Sequence, residues 1–372
     1  MLSRSWVRRA PRSVSLAAAL AVVTLAGCGD DGGGLGDDAV LRVYVSLPLR
    51  GDVGMDGRDA ADGARLALAD AGGEAGGVRV EATFLDDTQG SGTDARWSPA
   101  QAAENARSAI QDSTTIAYLG DFESGATRAS LPIINQARLL QVSPASGAVD
   151  LVAPELGSDD VADVQSTGAR TFGRVIPADD AQAAAAADWV SQLGATRVAI
   201  DSDHTAFGRT LADAFRLAFG PGASDTSSRP ELVYLAGRPT LGGNREMGSD
   251  AYLLPPGQHV PELVTSAALD PSQLAPSGKQ FVSDFTAEYG RSPGRYAAYG
   301  YEAMAVILDS IDRAADPGDR PAVIDAFFDT TDRESILGTY SIDELGDTTL
   351  DRMTGYELEG TRLRPAAELS GR

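Results

Sequence analysis

Thr115–Pro144, TIAYLGDFESGATRASLPIINQARLLQVSP, decides the fold. It opens on an apolar run ending at Gly120, passes through a short polar turn, and resumes as a helical pattern from Ser124. A second apolar run, LLQVSP, closes it, so strand, turn, helix and strand follow within about one βαβ unit. The turn, DFESGAT, carries no nucleophile beside a base. Ser124 is suited to capping the helix, and free N–H groups at a helix start with the Ser124 and Thr127 hydroxyls are equally suited to a ligand carboxylate. Pro132 inside the helical pattern predicts a kink or a shortened helix.

The same alternation extends outward. AVLRVYVSLPL (39–49) reads as a strand, DAADGARLALADAGG (59–73) as a helix stopped by Gly72 and Gly73, and VRVEATFLDD (78–87) as a strand. SPAQAAENARSAIQD (98–112) reads as a helix opened by Ser98, with Pro99 in its first turn. Downstream, AQAAAAADWVSQLG, TRVAID and AFGRTLADAFRLAFG continue as helix, strand and helix. Strands alternating with helices predict parallel sheets covered on both faces, with ligands bound beyond the carboxyl ends of the strands. The pattern then falters, because PGASDTSSRP and RPTLGGNREMG are loop-like, with ELVYLAG and ELVTSAAL as the strands among them. SGKQFVSDFTAEYG and YAAYGYEAMAVILDSIDRAA are amphipathic helices, and GTYSIDELGDTTLDRMTGYELEG reads as two strands around a turn.

The 372 residues exceed what one hydrophobic core sustains, so two lobes are expected. A net charge of -22 argues against nucleic acid as a partner and favours a small ligand. The N-terminus pairs a basic MLSRSWVRRAPR with SVSLAAALAVVTLAG, an apolar run of about 15 residues that suits a secretory leader better than a membrane span. Arg8 and Arg9 fit twin-arginine export less well than the general secretory route. Cys28, the chain's one cysteine, follows directly and precedes a Gly/Asp linker, so no intramolecular disulfide is possible. A catalytic set is not legible. His204 and His259 lie near no nucleophile motif, no phosphate loop or transition-metal cluster occurs, and capping or solvation explains Asp86 and Asp87. No cofactor is expected.

LAGC, Leu25 to Cys28, resembles the bacterial lipobox, which implies cleavage before Cys28, lipidation of its sulfur and anchoring to the membrane on the outer face or in the periplasm. From about Leu41 to Leu363 the chain resembles the substrate-binding proteins of ABC importers for branched-chain amino acids, the Leu/Ile/Val-binding type. SLPLRG, DGARLAL, the run from Ala103 to Pro144, RVIPADDAQ, YAAYGYEAM and DRESILGTYSIDELGDTTL carry the likeness. It implies a type I periplasmic-binding-protein fold, α/β, with two doubly wound parallel-sheet lobes joined by a hinge, the second shortened. The expected organisation is a leader 1–27, lipidated Cys28 and linker 28–38, a first lobe from 39–172 and 275–336, a second from 173–274 and 337–364, and a tail 365–372.

The resemblance also implies roles. Ser124 falls on the carboxylate-binding serine, with Gly125 beside it, and Ala145 on a position that uses its backbone. Gly147 stands where the family commonly has a threonine, and Ser146 is the neighbouring hydroxyl. In the second lobe Phe207 takes a ring position, Asp250 the acid that meets the ammonium, and Arg238 a place near an occasional aromatic. Asp56 replaces a first-lobe aromatic of some members. An amino acid and a permease are the implied partners. A sensory or structural envelope lipoprotein that kept the fold is the alternative, and a hydrolase using Asp86, Asp87 or His204 a distant third.

Overall fold

The computed structural model describes residues 39–51, 54–153, 164–203, 206–225, 229–237, 250–257, 262–360 and 362–371, all within the unit Leu35–Arg372. The leader, Cys28, the linker to Asp38, His204, Arg238 and His259 lie outside the described residues.

The first sheet is built from β1 (Val40–Leu47), β2 (Glu74–Ala75), β3 (Val78–Asp86), β6 (Thr115–Gly120), β7 (Leu140–Ser143) and β8 (Phe172–Arg174), in the order β2-β3-β1-β6-β7-β8. All its neighbours are parallel except β2, which runs antiparallel to β3. Between β3 and β6 a small hairpin, β4 (Thr88–Gln89) with β5 (Arg96–Trp97), precedes the second helix. Helix α1 (Gly54–Asp70) and the later α7 (Arg295–Arg313) pack together on one side; α2 (Pro99–Gln111) and α3 (Ser124–Gln136) pack together on the other. Alternation along β1 explains the layering: Val43, Val45 and Leu47 enter one core while Tyr44 faces the α2–α3 side. The α1–α7 crossing is close because a side chain at Gly63 would strike the Ala297 carbonyl, and one at Gly300 the Ala60 carbonyl. That crossing sets the start of α1 beside the start of α7.

Helix α2 begins as the sequence predicts, with Ser98 Oγ accepting from the Gln101 N–H at 3.5 Å. Helix α3 runs through Pro132.

The second sheet differs from the expected parallel arrangement. β9 (Val198–Ser202), β10 (Ala223–Ser224) and β11 (Leu232–Ala236) pair in parallel, covered by α4 (Asp179–Gln192) and α5 (Ala206–Phe219). The rest is antiparallel: β12 (Asp250–Leu254), β13 (Leu263–Ser266), β16 (Arg352–Glu359) and β17 (Arg362–Ser370), giving the order β10-β9-β11-β12-β13-β16-β17. A parallel return from β11 needs a crossover of a dozen or more residues, usually a helix, and the Pro/Gly-rich segment after Gly237 has no helical period. Residues 365–370, expected as tail, belong to β17. Its alternation places Leu369 in the second core and Arg364 and Glu368 outward. Helices α6 (Pro276–Tyr289) and α8 (Arg320–Phe328) and the two-residue strands β14 (Arg333–Glu334) and β15 (Thr339–Tyr340) complete the first lobe.

Candidate functional site: an interlobe cleft

Two loops after β6 and β7 are stitched together by buried polar groups. Ser143 Oγ donates to the Asp121 carbonyl at 2.6 Å and accepts from the N–H groups of Ala145 and Ser146. Gln141 Nε2 donates to the Gly120 carbonyl at 3.0 Å. Thr127 Oγ1 lies 2.6 Å from Ser146 Oγ, and the Ser146 hydroxyl also reaches the Asp121 carbonyl at 3.0 Å. Both hydroxyls are therefore spent inside the protein, so neither Thr127 nor Ser146 offers the ligand-facing hydroxyl that the sequence suggested.

Ser124 does not cap its helix. Glu123 is the N-cap, without a side-chain bond, and Ser124 Oγ instead accepts from the Ala148 N–H at 3.2 Å. The Ser124 and Gly125 N–H groups, first in α3, have no intrahelical acceptor. Among the described residues, the Gly147 N–H and the Ala145 carbonyl also have no hydrogen-bond partner. A side chain at Gly125 would overlap the Trp97 indole, so this half-buried ring from the β4–β5 hairpin lies over the helix start. The result is a set of backbone donors with positive helix-dipole character, suited to a carboxylate.

Arg174, fully buried, holds the second loop from below. It donates through Nε to Asp347 at 2.6 Å and through Nη1 to the carbonyls of Ser146 at 3.1 Å and Ala148 at 2.7 Å. At Gly147 a side chain would overlap the Asp179 carboxylate, and the Asp179 N–H donates to the Gly147 carbonyl at 2.9 Å. Glycine at position 147 thus lets the first turn of α4 close onto the loop. Burial pushes the Asp179 carboxyl up to about 7 despite the nearby Arg174 charge.

In the second lobe, Asp250 opens β12 and is fully buried. Its partner is Arg295, at the start of α7 in the first lobe: Nη1 donates to Asp250 Oδ1 at 3.1 Å and to Ser266 Oγ at 3.2 Å. Asp250 Oδ2 lies 2.9 Å from the same nitrogen but off the line of its hydrogen, so it accepts no hydrogen bond. Arg295 Nη2 lies 3.5 Å from Asp56 Oδ2. Burial pulls the Arg295 guanidinium down, but the charges of Asp250 and Asp56 outweigh it and raise it well above its ordinary value. For Asp250, burial raises the carboxyl against the opposing pull of Arg295. Tyr296 packs edge-to-face on Phe122, ring centres 4.7 Å apart, which connects this ion cluster to the Ser124 loop.

The structure therefore gathers Asp56 and Asp250 around Arg295, and Ser124, Gly125, Ala145 and Gly147 around the loop pair. Phe207, in the first turn of α5, is half-buried against the second core. Arg295, Trp97, Arg174, Asp179 and Tyr296 were missed from sequence. A signal existed for Arg295: a cation at the first position of a helix opposes the dipole and needs a carboxylate partner. Asp86 accepts from the Leu49 N–H at 3.0 Å, from Thr88 and from Arg50, and those bonds outweigh burial to hold it low. Asp87 is not solvated, as the sequence suggested, but fully buried with neither oxygen hydrogen-bonded, and burial beside Asp121 and Glu123 raises its carboxyl well above the usual range. Among the described residues no group of three or more His, Cys, Asp or Glu is placed to hold a metal, and no helix is long and apolar enough to cross a membrane.

Two α/β lobes, one built on each sheet, have the type I periplasmic-binding-protein fold. Residues 41–221 match the family model described as periplasmic binding protein. The chain is similar to the Leu/Ile/Val-binding protein BraC3 of Rhizobium johnstonii, 24% identical with 87% of this chain and 93% of that protein covered. It is also similar to the Leu/Ile/Val-binding protein homolog 3 of Brucella melitensis, 25% identical over 83% of this chain and 89% of that one. Among solved structures, the leucine binding protein LivK of Thermotoga maritima superposes with a TM-score of 0.70 at 23% identity, covering 89% of this chain and 99% of that chain.

Proposed function

We propose that this chain is the extracytoplasmic solute-binding lipoprotein of an ABC importer, anchored through Cys28, that closes its two lobes on an amino acid, branched-chain or related, and delivers it to a permease. The observation that carries the reading is that the open α3 start at Ser124 and Gly125 is linked, through the Phe122–Tyr296 contact beside Arg295, to the buried carboxylate of Asp250. The first suits an α-carboxylate, the second an ammonium, and the two groups belong to different lobes. A ligand bridging them favours the closed form because it gains both contacts only there. The relatives named for leucine, isoleucine and valine support the ligand class.

Thermal unfolding of the chain with each proteinogenic amino acid at millimolar concentration tests this. A ligand at about 100 times its dissociation constant adds roughly 2.7 kcal/mol of stability. A shift that vanishes in Asp250→Ala supports the reading; no shift with any amino acid overturns it and favours an envelope protein that serves another partner. Mass spectrometry of the Cys28 peptide from the membrane fraction tests the anchor, since an unmodified thiol excludes lipidation.

A further inference from the structure

The cleft's charges constrain the ligand beyond its α-carbon. Asp250 and Asp56 supply two negative charges and Arg295 one positive, and burial leaves little solvent to screen them. A ligand ammonium beside this cluster brings it to neutrality, while the ligand carboxylate is met by the α3 backbone. A further charge on the ligand's side chain would then be unbalanced: a cation meets Arg295, an anion meets Asp56.

An aliphatic side chain meets a different obstacle. Nη1 makes both of Arg295's hydrogen bonds. Among the described residues, Nε and Nη2 make none, although only 10% of the side chain is exposed, and Asp56 also makes no hydrogen bond. Covering these groups with methyl groups removes water and replaces it with nothing, which is the costly way to bury a polar group. Sites built with hydrogen-bonding groups reject ligands that lack them far more strongly than apolar pockets reject an extra methylene.

Resting on the amino-acid reading above, we propose that the ligand's side chain ends in a neutral donor–acceptor group, a carboxamide or urea, whose oxygen accepts from Arg295 and whose NH2 donates to Asp56. One planar carbon carries both atoms, matching a guanidinium and a carboxylate whose nearest atoms are 3.5 Å apart. No net charge is buried.

Isothermal titration of the full chain in mild detergent with L-glutamine, L-asparagine, L-leucine, L-glutamate and L-lysine decides it. The expected result is glutamine or asparagine binding at least tenfold more tightly than the other three. In Asp56→Leu, which alters a partly exposed side chain, that preference should collapse or reverse towards leucine, and Arg295→Met should lose it as well. Tightest binding of leucine, glutamate or lysine overturns the inference and leaves the amino-acid reading intact, as does an Asp56→Leu chain that keeps the amide preference. If no amino acid binds, both fall together.

Discussion

Arg295 Nη1 lies 3.1 Å from Asp250 Oδ1, and this bond joins the first helix turn of α7 in one lobe to the first residue of β12 in the other. The side chains are 10% and 0% exposed, so the pair is desolvated and neither ion retains a full hydration shell. Removing one member leaves a buried charge without its partner. Arg295→Met is expected to lower unfolding stability by about 3 kcal/mol, and Arg295→Met with Asp250→Leu to recover at least half of that loss. Denaturant unfolding of the two variants measures it; a double variant no better than the single shows that the ions are uncoupled.

Arg174 performs a comparable task inside the first lobe, where its planar fork serves the carbonyls of Ser146 and Ala148 and the Asp347 carboxylate at once. A methionine of similar length leaves all three without their donor. The expected cost is about 3 kcal/mol in stability. Ligand affinity is expected to fall about tenfold, because the loop bearing Gly147 and Ala148 loses its support. Arg174→Lys keeps the charge and loses the fork, and should restore less than half of either. Calorimetry with the tightest-binding amino acid, beside thermal unfolding, separates the two effects.

At Gly125 the relevant neighbour is Trp97, whose ring occupies the space a β-carbon would need. Gly125→Ala is therefore expected to destabilise by about 1–3 kcal/mol, the usual cost of overpacking. Trp97→Leu removes the obstacle. In that background Gly125→Ala should be neutral or stabilise by up to about 1 kcal/mol, the helix-favouring effect of alanine over glycine. Equal costs in both backgrounds, read from thermal midpoints, would place the strain elsewhere.

The first lobe was readable because its strands and helices are local events: the apolar runs, the Ser98 cap and the strand–turn–helix sequence from Thr115 each announce themselves within a few residues. The second sheet was harder. β12, β13, β16 and β17 are short or far apart in sequence, and antiparallel neighbours drawn from residues 250–266 and 352–370 leave no common period. Ser124 was legible as a candidate because its turn sits at a strand end. Arg295 was not, since its partners Asp56 and Asp250 lie in other parts of the chain and SPGRYAAY resembles an exposed helix start. Trp97 and Asp179 escaped for the same reason: each acts through a glycine remote in sequence, where the absence of a side chain is the feature that matters.

Asp179 gives a prediction in pH. Its carboxyl is 2% exposed, its Oδ2 has no hydrogen-bond partner, and burial raises it from 3.8 to about 7 against the partial compensation of Arg174. The folded chain thus holds this proton more tightly than the unfolded chain. The resulting stabilisation is complete below about pH 3.8, declines as the pH rises, and is gone above about 7. Asp179→Asn keeps the shape without the titration. Between pH 4.5 and 7.5 the wild-type thermal midpoint should therefore fall relative to that of the variant, with the difference between them constant above about pH 7.5. Taking the difference removes the contributions of other buried carboxyls, Asp121 among them, which titrates near 6. A gap between the two midpoints that stays constant from pH 4.5 to 7.5 would mean that Asp179 is ionised throughout, held so by Arg174.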